Sequence, residues 1–218
     1  AAIFIRFLAG ASVFSIAFWR LIIASLVLVV VLLVSRGHSN LSLLRKDFRR
    51  VSVLGILLGL HFILFVSAVL DTTILNATVL VNTAPIWSMF VSSFVFKLKP
   101  SRIVVLGILT SFFGVSLITY GDASAKTWTI NLQGDLEAMF AAVIEAFYLS
   151  YGRDVRRRLP LLNLMLTIYI ASAFTVLAFG AVARSNFTFP IQPGLILALI
   201  GLGLLPTALA HTFYFSSL

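Results

Sequence analysis

Glu145 is the one acidic residue, of seven in the chain, that lies deep inside a long apolar segment. A charged side chain near the middle of a bilayer costs about 2.5–3.5 kcal/mol on insertion scales. A carboxyl group in that position can take up and release a proton, which is the chemistry that proton-coupled transport needs. The alternative is a protonated carboxyl that only hydrogen-bonds a neighbouring helix. Of the two, we predict a proton-coupling role for Glu145.

Two histidines and a tyrosine lie in segments of the same kind. His61 and His211 each offer a donor and an acceptor when neutral, and each can switch charge by binding a proton. Tyr148 follows Glu145 by about one helical turn, where it can hold the carboxyl or contact a solute. We predict that these three side chains bind substrate. The alternatives are hydrogen bonding between helices for the histidines and a core position for the tyrosine.

Polar residues are concentrated in the apolar segment over 72–96. An amide inside lipid must face protein or a water-filled cavity, and we predict that Asn76, Asn82, Thr83 and Trp87 form a substrate-binding wall. Pro85 removes a helical hydrogen bond and permits a kink, so we assign it to gating. The alternative is that the small polar residues only allow helices to pack closely.

Arg20 lies in an apolar stretch near the predicted outer surface. Its guanidinium either captures an anionic group or snorkels to the lipid headgroups. We favour snorkelling. No metal or cofactor site is predicted, because the chain has no cysteine and no spaced set of histidines and carboxylates.

The segments that must position these residues are long and apolar. The chain is 61% hydrophobic and 11% charged, whereas globular proteins are about 25% charged. A helix needs about 20 apolar residues to cross a bilayer, and only helices or closed barrels can span it. The runs are too long for barrel strands of about 10 residues. We predict an all-α integral membrane bundle with helices at 1–13 (truncated), 16–35, 51–70, 72–96, 103–121, 134–152, 161–183 and 194–217.

Basic residues collect in alternate connections between these segments. Twelve of the 16 lysines and arginines follow the second, fourth and sixth segments: Arg36, Arg45, Lys46, Arg49, Arg50, Lys97, Lys99, Arg102, Arg153, Arg156, Arg157 and Arg158. Positive charge marks the cytoplasmic side of membrane proteins. We therefore predict a multi-pass protein of the plasma membrane with its basic loops in the cytoplasm. The net charge of +9 does not indicate nucleic-acid binding, because no soluble domain carries it.

An internal repeat relates the third and eighth segments. His61 and His211 both begin the pattern His-x3-Phe-x-Ser, in LHFILFVSAV and AHTFYFSSL. The two copies are offset by five segments, an odd number, so they run in opposite directions. Inverted repeats are a common construction of secondary transporters. We predict a five-plus-five fold with about eight of ten helices present: a first repeat over 1–121, with its first helix truncated, and a second over 134–218, with two helices missing.

Five stretches resemble the EamA-like branch of the drug/metabolite transporter superfamily. They are AFWRLIIASL (17–26), LNATVLVNTAPIWSMFVSSFVFKLKPSR (75–102), VVLGILTSFFGVSLITYGD (104–122), GDLEAMFAAVIEAFYLSYGRDV (134–155) and LGLLPTALAHTFYFSSL (202–218). The chain departs from the family where Lys97-Leu98-Lys99 replaces an acidic–basic pair and where Glu145 replaces an aromatic or apolar residue. The resemblance implies a carrier that exports metabolites or drug-like compounds by alternating access.

We therefore predict a secondary active transporter of small organic solutes such as amino acids, coupled to protons and not an enzyme. Its expected partners are the solute, the lipid bilayer and protons, with a homodimer left open. The alternative is a seven-helix receptor or sensor without transport. A retinal protein is excluded, because all four lysines lie in loops or at helix ends.

Overall fold

Helices that lie side by side make up the protein. The computed structural model describes residues 1–35, 46–95, 97, 101–123 and 131–218, with the backbone alone described for 115, 116 and 118–123. Throughout these ranges the regular structure is helical. The helices are α1 (Ala2–Phe7), α2 (Val13–Val34), α3 (Phe48–Asp71), α4 (Ile74–Val81), α5 (Ala84–Phe94), α6 (Arg102–Ala123), α7 (Leu132–Arg156), α8 (Leu161–Val182), α9 (Pro193–Leu202), a π-helical segment (Gly203–His211) and α10 (Thr212–Ser216).

Five of the described helical stretches are long and apolar enough to cross a membrane. They are Val13–Val34, Phe48–Asp71, Ile74–Phe94, Leu161–Val182 and Pro193–Ser216. The prediction of an all-α polytopic membrane bundle is confirmed. Helix α7 is also long, at 25 residues, but it is less apolar because it carries charged residues at both ends and Glu145 inside. It packs most extensively on α3, itself one of the five, so neighbouring protein covers much of its surface.

Residues with small side chains let α3 approach α7 and α8. A methyl group at Gly55 would lie 2.3 Å from the Cβ of Ala171, and one at Gly59 would lie 2.9 Å from the Cβ of Thr175. The Ser172 hydroxyl donates to the carbonyl oxygen of Gly55 at 2.9 Å. On the α7 side, four alanines are fully buried: Ala138, Ala141, Ala142 and Ala146. The glycine pair, four residues apart, is the spacing that allows close helix contact in membranes.

Three predicted helices are interrupted in the structure. The first, expected over 1–13, ends at Phe7, and α2 begins at Val13 after the Ser12 hydroxyl accepts a hydrogen bond from the Ser15 amide at 3.1 Å. The fourth is divided at Asn82 and Thr83, just before Pro85. These boundaries correct the predicted ones. The physical reason is local hydrogen bonding: a serine cap competes with the helical ladder, and a proline suits the first turn of a new helix.

The eighth predicted helix contains a wider turn. Residues Gly203–His211 are π-helical, and Pro206 lies among them. A proline cannot donate a backbone hydrogen bond, and its ring clashes with the carbonyl four residues earlier. The Thr207 hydroxyl donates to the carbonyl oxygen of Leu202, five residues back, at 2.7 Å. The wider turn therefore relieves the clash and keeps the segment helical.

Opposite ends of the antiparallel pair α3 and α7 are joined by different chemistry. At the end that we call the basic end, Arg50 lies 3.2 Å from the Asp154 carboxylate, and Arg158 lies 3.1 Å from it. At the other end, the Thr72 hydroxyl donates to the Asp135 carboxylate at 2.8 Å. Two of the three predicted basic connections thus meet at one end. Arg36, Arg45 and Lys99 lie outside the described residues, as does the connection over 124–130, and the division into two repeats stays a prediction.

We expect Gly55→Ala to destabilise the protein, because the new methyl group overlaps Ala171. Overpacking of this kind costs about 1–3 kcal/mol, and it should lower the thermal unfolding temperature of the purified protein in detergent. Gly107→Ala is the matched control, since a methyl group there meets nothing within 4 Å. Equal unfolding temperatures for the two variants would contradict the close α3–α8 contact.

Candidate functional site

The centre of the bundle brings His61 of α3 against α7. The His61 Nδ1 lies 3.0 Å from the carbonyl oxygen of Ala141 and 4.0 Å from the Glu145 Oε2. A carbonyl oxygen only accepts, so Nδ1 donates its proton to Ala141 in this contact. Only 4% of the His61 side chain and 12% of the Glu145 side chain are exposed. A carboxyl and an imidazole thus meet inside the bundle, where they can hold or exchange a proton.

His211 of the π-helical segment joins this pair. Its ring centroid lies 6.2 Å from that of His61 and 5.1 Å from that of Phe62, edge-on in both cases. The two histidines, 150 residues apart in the sequence, therefore face each other across the interior. We call His61, Glu145 and His211 the central polar cluster.

Arg20 lies beside this cluster, and the prediction that it snorkels to the headgroups is wrong. Its side chain is 1% exposed. The guanidinium carbon lies 3.9 Å above the ring of Phe62, and Nε donates to the Thr207 hydroxyl at 3.1 Å. Ala17, Leu21 and Ala24 follow helical spacing around Arg20, and all three are buried. Because α2 is apolar on every side, the sequence pattern does not single out this face.

Tyr148 occupies the core between α7, α8 and α10. Its side chain is 1% exposed, its hydroxyl donates to the Met165 sulfur at 4.0 Å, and its ring centroid lies 5.2 Å from that of Phe215. The expected hydrogen bond to the Glu145 carboxyl is not among its contacts in the described part of the chain. A role in substrate binding stays a prediction.

Asn82, Thr83 and Pro85 line a cavity of about 440 Å³ between the α4–α5 junction and α6. A second cavity of about 540 Å³ lies between α5, α6, α7 and α10, and Pro85 lines both. Hydroxyl groups are frequent on the wall of this larger cavity: Ser88, Ser92, Ser101, Ser150, Tyr214 and Ser217. Leu149, one turn after Glu145, belongs to the same wall. The larger cavity and the central polar cluster are therefore neighbours, separated by about one turn of α7.

Asn76 and Trp87 have other contacts. The Asn76 amide donates to the Asp135 carboxylate at 3.3 Å, at the end opposite the basic end. The indole N–H of Trp87 donates to the Thr83 hydroxyl at 3.1 Å, inside its own helical stretch. The structure thus divides the predicted wall into separate places, and substrate binding by these residues stays a prediction.

Within the described ranges, no three histidine, aspartate or glutamate side chains are arranged so that they could hold a metal ion. The central polar cluster contributes one carboxylate and two imidazoles, and the second imidazole packs edge-on against aromatic rings. What the arrangement can do chemically is move protons and form hydrogen bonds with a polar solute.

Comparison with known proteins shows a family, a relative and a solved structure to which the chain is similar. The profile of the EamA-like transporter family matches residues 1–120. The "Uncharacterized transporter YxxF" of Bacillus subtilis (strain 168) is 22% identical over 207 residues, which cover 94% of this chain and 65% of that protein. The chain therefore spans slightly less than two thirds of that relative's length. A solved crystal structure superposes with a TM-score of 0.75 over 96% of this chain and 71% of its own, at 22% identity, and shows a shared fold.

We expect Ser92→Cys to react with a small thiol reagent in the purified protein, because Ser92 lines the larger cavity. The chain has no cysteine of its own, so labelling reports this position alone. Ser172→Cys is the matched control, because Ser172 is fully buried and its hydroxyl donates to the carbonyl oxygens of Gly55 and Ile168. Mass spectrometry should show rapid modification of the first variant and little of the second. Equal rates would contradict the cavity.

Proposed function

The chain belongs to the EamA-like transporter family, and from this membership we propose that it is a proton-coupled secondary transporter that exports small organic solutes, such as amino acids, by alternating access. The family and the name of the relative support a membrane transporter. The coupling, the direction, the class of solute and the mechanism are the proposal. Family membership favours transport over the receptor alternative.

One observation carries the coupling: the Glu145 carboxylate lies 4.0 Å from His61 inside the bundle. Burying an isolated charge is costly. Loss or gain of a proton by Glu145 therefore changes the free energy of the arrangement in which this part of the bundle is closed. A protonated Glu145 is neutral and suits the closed interior, whereas an ionised Glu145 favours contact with water. Proton binding can therefore shift the balance between two arrangements of the helices.

Helix interruptions supply the places where the bundle can rearrange. The α4–α5 junction at Asn82 and Thr83 breaks one long helix next to the smaller cavity. The π-helical segment with Pro206 breaks another next to the central polar cluster. Discontinuous helices near the midplane are common at the binding sites of secondary transporters. Both breaks support the proposal that solute and proton act on neighbouring movable elements.

The orientation and location complete the proposal. We place the basic end in the cytoplasm and the protein in the plasma membrane, because lysine and arginine are enriched in cytoplasmic loops. The Arg50–Asp154 contact supports a common side for the connections before α3 and after α7. A homodimer stays a prediction without a supporting contact.

We expect Glu145→Gln to abolish the part of transport that depends on a pH gradient, because an amide cannot bind and release the proton. The measurement is solute flux through the whole protein in liposomes, with and without an imposed pH gradient. Glu137→Gln is the matched control, as it removes a carboxyl eight residues earlier on the same helix, where Gln133 donates to it at 3.2 Å. Proton-driven flux that survives in Glu145→Gln would refute the coupling role.

Cysteine labelling of intact cells should report orientation. Arg157 lies in the connection between α7 and α8, and Asn186 lies in the connection between α8 and α9, with both side chains exposed. We expect a membrane-impermeant thiol reagent to label Asn186→Cys in intact cells and Arg157→Cys only after permeabilisation. Labelling of Arg157→Cys in intact cells would reverse the proposed orientation.

A further inference from the structure

Arg20 is a buried cation whose hydrogen bonding is incomplete. Its Nε is engaged by the Thr207 hydroxyl and one face of the guanidinium by Phe62. Its Nη1 is buried and has no hydrogen-bond partner among the described residues. An unsatisfied donor on a buried charge is costly, so its retention calls for an explanation such as a functional role or a bound ion.

No carboxylate of the described residues neutralises Arg20. The ion pairs among the described residues join Arg50, Arg158 and His61 to carboxylates, and none includes Arg20. Glu145 is the acidic residue inside the bundle, and its ion-pair partner is His61. The other described acidic residues lie near helix ends: Asp47, Asp71, Asp135, Glu137 and Asp154. A charge inside a membrane protein generally has a partner, and such residues mark substrate or ion pathways.

The surroundings of Arg20 suit an oxyanion. Tyr169 donates its hydroxyl proton to the carbonyl oxygen of Thr207 at 2.7 Å and lies 3.3 Å from the Thr212 hydroxyl. These hydroxyl groups can rotate to donate to an oxygen anion. Thr207 and its carbonyl belong to the π-helical segment, a backbone form that is frequent at functional sites. His211 lies at the end of that segment and packs edge-on against Phe62.

We propose that Arg20 binds the carboxylate of the transported solute. The inference rests on the proposed carrier function and narrows its substrate to small carboxylic acids, amino acids included. Thr207 and Phe62 hold the plane of the guanidinium, and Nη1 is the donor left for the ligand. Arg20 is 1% exposed, so the contact forms when the π-helical segment moves away from α2. The carboxylate then becomes the hydrogen-bond partner of Nη1.

The test compares acids with their amides. Thermal unfolding of the whole protein in detergent, followed by tryptophan fluorescence, is measured with each of the common amino acids and with its carboxamide. The variants are Arg20→Gln, Arg20→Lys and, as a surface control, Arg158→Gln, whose side chain is 51% exposed. Sodium phosphate is included as a different oxyanion.

We expect at least one amino acid, and not its amide, to raise the unfolding temperature of the wild type and of Arg158→Gln. Arg20→Gln should lose this shift, and Arg20→Lys should keep part of it, since an ammonium retains the charge without the planar fork. The acid–amide comparison on the wild type needs no variant, so it decides the proposal even if Arg20→Gln does not fold.

Three results would overturn the proposal: equal shifts for acids and amides, no shift with any acid, or a preference for acids that survives in Arg20→Gln. A phosphate shift as large as that of the best acid would refute the assignment to carboxylates. Flux in liposomes separates this inference from the proposed function. Transport of amides as fast as acids would remove the role of Arg20 and leave the carrier intact, whereas no flux of any solute would refute the carrier itself.

Discussion

The close contact of α3 with α7 and α8 is the constraint on which the rest of the structure depends. Gly55 and Gly59 leave no room for a side chain on the face of α3 that contacts α8, and α7 buries four alanines. Helices in lipid associate through such close packing, because lipid supplies little hydrophobic drive between them. At this separation His61 reaches the Ala141 carbonyl and approaches Glu145. Larger residues at the contact would move these polar groups out of reach.

The polar interior and the helix interruptions belong together physically. A continuous α-helix uses its backbone groups for its own hydrogen bonds, whereas a break frees backbone groups for other partners. The π-helical segment brings Thr207 to Arg20 and His211 to His61. The α4–α5 junction brings Asn82 and Thr83 to a cavity wall. Each break in a helix thus lies in a part of the bundle where polar side chains are concentrated.

Much of the candidate site could be predicted from single positions. Glu145, His61 and His211 are polar residues in apolar segments. Because such groups are costly in lipid, their location inside the bundle could be predicted from residue type and position alone. Arg20, Tyr148 and Asn76 could not be placed in this way. An arginine can reach the interface from several depths, a tyrosine suits core or cavity equally, and an asparagine near a helix end takes whichever partner lies opposite. For Asn76 that partner is Asp135, 59 residues later.

The sequence by itself determined that the chain is a bundle of membrane-spanning helices, because the length and apolarity of each segment suffice to set its relation to a bilayer. It also located the polar positions along those helices. Only the tertiary structure decided which of them meet. Hydropathy shows which segments cross the membrane and which positions in them are polar. The neighbours of a polar residue depend on how its helix is rotated and on how that helix packs against others. Arg20 is buried between Phe62 and Thr207. The three residues belong to three different helical elements, so this burial could not be predicted from any one of them.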